Sequence, residues 1–159
     1  MCRQLISQRA MNDSSVSNAG KSASATRLQF QTNLPQRILV VDDDNDARSL
    51  SAKVLKGSGY EVDTAEDGAA AWKVLQDKVF NLLITDNHMP KLTGVELVKK
   101  LRSARMTLPV IMATRKLPME ALGKTPSLKL SALLPKPFSI EDLLEAVRAV
   151  LCATNSAPE

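Results

Sequence analysis

Aromatic residues are the first shortage: one Trp, one Tyr and three Phe in 159 residues. With so few rings, a core in this chain has to be aliphatic. Cysteine is rarer, with Cys2 and Cys152 near opposite ends, no C-x-x-C spacing and a single His in the sequence. That pattern offers neither a zinc ligand set nor a disulfide framework, and it reads as reduced thiols in a cytoplasmic protein. No apolar run reaches the length of a membrane span, and Leu5 and Ile6 are too little for the apolar region of a secretory signal. The lack of a targeting segment points the same way, to the cytoplasm. An excess of one charge is also missing from most of the chain. The formal net charge is +4, but Arg3, Arg9, Lys21 and Arg27 against Asp13 give residues 1–36 a net of +3 and leave +1 for the rest. A nearly neutral body implies no basic face for nucleic acid. A hydrophobic fraction of 44% in a chain of this length suffices for one domain with a sizeable core.

What is present is organised around residues 81–90, N-L-L-I-T-D-N-H-M-P. Leu82, Leu83 and Ile84 form an apolar run without polar interruption, the pattern of a strand buried on both faces. The run ends at Asp86, and Pro90 stops the ladder from continuing. Other strand-like runs end the same way. R-I-L-V-V at 37–41 is followed at once by Asp42, Asp43 and Asp44, P-V-I-M-A at 109–113 by Thr114, and A-L-L at 132–134 by Pro135, Lys136 and Pro137.

Helical patterns lie between the strands. Asp44 or Asn45 can cap a helix whose inner face is expected to be Ala47, Leu50 and Val54. Residues 60–63 read as a short strand, and Asp67-Gly68 opens a helix with Ala71, Val74 and Leu75 on its stripe and Trp72 packing beside it. Thr93-x-x-Glu96 has the form of a capping box. After Thr114, Pro118, Gly123 and Pro126 leave room for only a short or irregular fourth helix. Ser139-x-x-Asp142 caps a last helix with Ile140, Leu143, Leu144, Val147, Val150 and Leu151 at spacings of three and four. Five alternations of strand and helix with short links demand a parallel sheet covered on both faces. Residues 12–26, rich in Ser, Asn and Ala, cannot offset the entropy of ordering, so 1–36 is expected to be a disordered tail. The domain is expected over 37–152, with a short tail at 153–159.

In a parallel sheet the polar residues that follow each run converge on one edge, where ligands bind at the switch in strand order. Asp42, Asp43 and Asp86 would repel one another there and call for a hard divalent cation with oxygen ligands. Lys136 adds a point charge able to hold a carboxylate or phosphoryl oxygen, and Thr114 adds a hydroxyl. These are the parts of an Mg2+-assisted phosphoryl site in which the lone acid, Asp86, could be the nucleophile. Taken singly, the acidic run could be a helix cap, Lys136 a surface residue and Thr114 nothing in particular. All of them standing at matching strand ends is what favours a site.

V-V-D-D-D, then L-I-T-D-x-x-M-P with Gly94 eight positions after the Asp, then Thr114, then K-P-F closely resemble the receiver domain of two-component response regulators. The resemblance covers about residues 37–152. It implies a flavodoxin-like, doubly wound sheet of five parallel strands in the order 2-1-3-4-5. It also implies that Asp86 accepts phosphate from a histidine kinase or phosphotransfer protein, and that Asp43 is a direct Mg2+ ligand with Asp42 acting nearby, often through water. The backbone carbonyl of His88 would supply a further ligand, leaving its imidazole at the solvent rim. Thr114 and Lys136 would bind phosphoryl oxygens, and Lys136-Pro137 would be a cis peptide.

The chain departs from that pattern in places. Arg115 stands where a small residue is usual, and Leu133 where many receivers carry an aromatic ring. Leu133 is expected to prefer burial, so a readout by ordering of residues 115–128 is expected instead of a ring swing. With only a few residues after the last helix, no attached output is expected, and signalling would pass through an unknown downstream protein. The alternative is a degenerate receiver, an interaction module that works without phosphorylation. A hydrolase of the haloacid dehalogenase type would need D-x-D, whereas Asp86 is followed by Asn87 and His88. At most, self-phosphorylation from small donors and autodephosphorylation are expected, rather than enzymatic turnover.

Overall fold

The apolar runs of the sequence become the central strands. The computed structural model describes residues 34–116 and 128–156. In chain order they form β1 (Arg37–Val41), α1 (Asn45–Gly57), β2 (Glu61–Ala65), α2 (Gly68–Asp77), β3 (Leu82–Asp86), α3 (Gly94–Ser103), β4 (Val110–Thr114), β5 (Ala132–Pro135) and α4 (Ile140–Ser156). The strands make one five-stranded sheet in the order β2-β1-β3-β4-β5, and every pairing is parallel. β3 and β4 are buried at every residue, which is what strands covered on both faces require.

Alternation along the strands divides the core into two layers. Leu39, Val41, Leu83, Val110 and Met112 pack with Ala71 and Leu75 of α2 and with Leu97, Val98 and Leu101 of α3. Ile38, Val40, Leu82, Ile84, Ile111 and Ala113 pack with Ala52 and Leu55 of α1 and with Leu143, Val147, Val150 and Leu151 of α4. The chain goes from β1 out to β2 and returns to β3 on the other side of β1, so the links after β1 and β3 part and leave a crevice above the carboxyl ends.

Local signals start the helices where the sequence placed them. The Asp44 carboxylate accepts from Asp46 N and Ala47 N. Asp67 accepts from Ala70 N, Thr93 and Glu96 form a reciprocal box, and Ser139 and Asp142 exchange the same two bonds before α4. Trp72 packs against the α2–α3 layer with Lys100 Nζ 5.1 Å from its ring centroid. Arg102 near the end of α3 donates to four carbonyls: Leu128 at 3.0 Å, Lys129 at 3.1 Å, Met106 at 2.8 Å and Leu108 at 3.0 Å.

Three expectations are corrected. The inner face of α1 is Ala52 and Leu55, while Leu50 is 56% exposed. Arg48 donates to Asp42 O at 2.7 Å and to Asn45 Oδ1 at 2.9 Å, on the rotation that buries Ala52 and Leu55. Leu133 is 37% exposed, because β5 is an edge strand and its alternation sends Leu134 inward instead. Ile140, in the first turn of α4, is 46% exposed, and α4 itself runs on to Ser156. The tail at 1–33 and the segment holding Pro118, Gly123 and Pro126 lie outside the described residues. Among the described residues no helix is long and apolar enough to cross a membrane.

Two glycines separate close approach from open surface. A Cβ on Gly94 would run into Asp86 O and meet Asn87 Cα at 3.0 Å, whereas one on Gly57 would meet nothing within 4 Å. Gly94→Ala is therefore expected to lower the unfolding free energy by about 1–3 kcal/mol in urea melts, since backbone has to shift. Gly57→Ala in the same assay should raise it by about 0.5–1 kcal/mol.

Candidate functional site

Parallel register delivers the polar strand ends to one edge. Asp42 and Asp43 follow β1, Asp86 ends β3, Thr114 ends β4 and Lys136 follows β5. The structure gathers Asp42, Asp43, Asp86 and Lys136 and sets Thr114 at the same edge, its main-chain O accepting from Lys136 N at 3.0 Å. One carboxylate oxygen from each of Asp42, Asp43 and Asp86 lies within 4.8 Å of the others. Asp42 and Asp86 are buried and Asp43 is exposed.

Each carboxylate is held differently. Asp42 Oδ1 accepts from Asp44 N at 3.0 Å, and Asp86 Oδ1 accepts from Asn87 N at 2.6 Å and from His88 N at 3.3 Å. The second oxygens face Lys136, whose Nζ stands 2.7 Å from Asp42 Oδ2 and 3.1 Å from Asp86 Oδ2. Burial works to lower the Lys136 pKa, but the two carboxylates more than offset it, and the ammonium is held above its ordinary value. Lys136-Pro137 is cis.

The remaining positions are settled as follows. Thr114 is 1% exposed, and its hydroxyl donates to Lys116 O at 3.0 Å. The His88 side chain is exposed, as expected of a rim residue. Arg115 is exposed and joins no hydrogen bond or ion pair among the described residues.

Sequence reasoning missed the parts that support this edge. Asn87 fastens the end of β3 to α3, its Oδ1 accepting from Val95 N at 3.1 Å and its main-chain O from Gly94 N at 3.1 Å. Arg48 braces the main chain of Asp42. Asp67 and Lys91 pair at 2.8 Å across 24 residues. Only the first left a trace in the sequence, an amide side chain directly after the end of the β3 run.

The donor set is all oxygen, three carboxylates share a small volume, and one ammonium cannot neutralise them. Such a group fits a hard divalent cation.

A family model for the response regulator receiver domain matches residues 38–148. This chain belongs to that family. Among relatives of this receiver, the response regulator MprA of Mycobacterium sp. (strain KMS) is 34% identical over 122 residues, 77% of this chain and 53% of that protein. The receiver thus spans about half the length of that relative. Among solved structures, the chemotaxis response regulator CheY4 of Vibrio cholerae has a TM-score of 0.67 at 34% identity, covering 74% of this chain and 99% of the other. The response regulator protein TrrA of Thermotoga maritima, solved in complex with Mg(2+)-BeF, has a TM-score of 0.64 at 31% identity, covering 72% and 98%. The flavodoxin-like architecture and the two-component receiver class expected from the sequence both hold.

Lys136 is the counter-charge on which the metal-free receiver depends. Lys136→Met would leave the buried carboxylates of Asp42 and Asp86 unpaired, and it should cost about 3 kcal/mol of unfolding free energy in urea with a chelator present. Because the folded state raises the Lys136 pKa, its contribution is complete at neutral pH and is lost as pH rises through that raised value. The gap between wild type and variant should accordingly close in alkaline melts.

Proposed function

We propose that Asp86 is the phosphoacceptor of a two-component relay, receiving its phosphoryl group from a histidine kinase or phosphotransfer protein. The observation that carries this reading is the asymmetric hold on its carboxylate. Two backbone amides pin Oδ1, while Oδ2 points at the Lys136 ammonium in the crevice. A carboxylate fixed in that way presents one oxygen in a set direction, which removes much of the entropy cost of attack. Asp86 Oδ2 forms the new bond to phosphorus, and the bond from phosphorus to the donor's nitrogen breaks with its electron pair leaving on the donor. The product is a mixed anhydride on Asp86.

Asp42, Asp43, Asp86 and the His88 main-chain carbonyl would hold Mg2+, which when bound supplies positive charge opposite the phosphoryl oxygens. The Mg(2+)-BeF complex of TrrA supports that assignment. Lys136 then stands ready to hold a phosphoryl oxygen, as its Nζ already holds Asp86 Oδ2. The Thr114 hydroxyl can donate to another once it leaves Lys116 O. A domain over 37–152 of this kind is a signalling phosphoacceptor, with at most self-phosphorylation from small donors and autodephosphorylation. Its output passes to a protein partner. We place it in the cytoplasm, where kinases draw on ATP.

Acetyl phosphate with Mg2+ should add one phosphoryl mass to the wild type by intact mass spectrometry. Asp86→Asn should acquire none, and a chelator should abolish labelling of the wild type. Labelling that persists in the variant would move the nucleophile to Asp43. A wild type that stays unlabelled, including when offered a phosphorylated histidine domain, would leave the phosphorylation-independent module as the function.

A further inference from the structure

The link between β3 and α3, residues 87–93, carries the His88 carbonyl, and its backbone is under strain. Lys91 has φ of 67°, and Leu92 N donates to Pro90 O at 2.7 Å across it. A γ-turn with positive φ at its centre is rare, and a long side chain there is unfavourable. Such a conformation persists only where its surroundings hold it, and strain of this kind clusters at working sites.

Two contacts hold it, both from the start of α2. Asp67 is 2% exposed, and its carboxylate is divided between two tasks: Oδ1 accepts from Ala70 N at 2.7 Å and Oδ2 from Lys91 Nζ at 2.8 Å. The Lys91 bond comes first among the causes that keep the Asp67 carboxyl below its ordinary range. Beside it, a Cβ on Gly68 would meet Leu92 O at 2.5 Å, so α2 begins directly against the loop backbone. The far end of the loop is fastened separately, through Asn87 and the Thr93–Glu96 box. Asp67 and Lys91 therefore supply the one side-chain hydrogen bond, among the described residues, between the start of α2 and the middle of the loop, where Met89 and Leu92 add apolar packing.

We propose that Asp67 and Lys91 are positioning residues for the phosphoryl site, their ion pair holding the strained turn at Lys91 and with it the place of the loop that carries the His88 carbonyl. This rests on the Mg2+ reading above. A surface ion pair ordinarily contributes little. Here the carboxylate is buried, and the pair acts on the geometry of a loop with few internal hydrogen bonds.

The test uses the full chain, labelled with 15N and titrated with Mg2+ alone, its metal-free amide exchange also being measured. Asp67→Asn keeps the cap on Ala70 but loses the charge; Lys91→Met loses the partner; Lys91→Gly also removes the strain of positive φ. Asp67→Asn and Lys91→Met should weaken Mg2+ by about 10-fold, as loss of groups that orient metal ligands commonly does, and Lys91→Gly, in which the turn no longer needs holding, should lose less. The double variant Asp67→Asn/Lys91→Met should be no worse than either single, and Lys91→Arg should keep most of the affinity. Without metal, exchange at Leu92 and Gly94 should quicken in the weakened variants while the β3 and β4 amides stay protected. Unchanged Mg2+ affinity in Asp67→Asn and Lys91→Met would overturn the proposal, as would losses that add in the double variant. A wild type that binds no Mg2+ would instead overturn the metal reading itself, and the inference with it.

Discussion

Three carboxylates and one ammonium at a sheet edge set the terms for the rest of this receiver. Asp42 and Asp86 are buried with Asp43 beside them, a group that repels itself unless a cation enters. Lys136 meets part of that demand by reaching both buried acids at once. The same arrangement leaves the site short of positive charge, which makes it receptive to a metal and to the chemistry a metal supports. Stability and function thus draw on one electrostatic imbalance.

That imbalance can exist only because the sheet is parallel and wound outward from its centre. Residues 42, 86, 114 and 136 are far apart in sequence and are neighbours because each closes a strand running the same way. The apolar layers on both faces keep the strands rigid, so the groups at their ends hold their separations without a ligand. A helix start beside each crevice loop adds further fixing: Asp44 before α1, Asp67 before α2 and Thr93 before α3.

Much of this was legible in the chain. Buried parallel strands are continuous apolar runs, so the strands declared themselves, and with them the convergence of Asp42, Asp43, Asp86, Thr114 and Lys136. Capping residues act within three positions, so helix starts were legible too. The face of α1 was not, since Ala47, Leu50 and Val54 fit a helical stripe as well as Ala52 and Leu55 do, and only packing against β1 and α4 separates the two. Leu133 misled because hydropathy carries no information about which strand is an edge. The pairing of Asp67 with Lys91 depends on the finished fold, and no local pattern encodes it.

Arg102 gives α3 a role beyond covering the sheet. At its start the helix is fastened to the end of β3 through Asn87 and Gly94; near its end the Arg102 guanidinium grips the carbonyls of Leu128 and Lys129 just ahead of β5. Ten residues of α-helix are about 15 Å of stiff rod. The loop bearing His88 and the entry to β5 are thus coupled at opposite ends of one connecting rod. A tilt of α3 that follows the loop must drag the mouth of the edge strand with it, turning a displacement at the acidic crevice into one at the far end of the sheet.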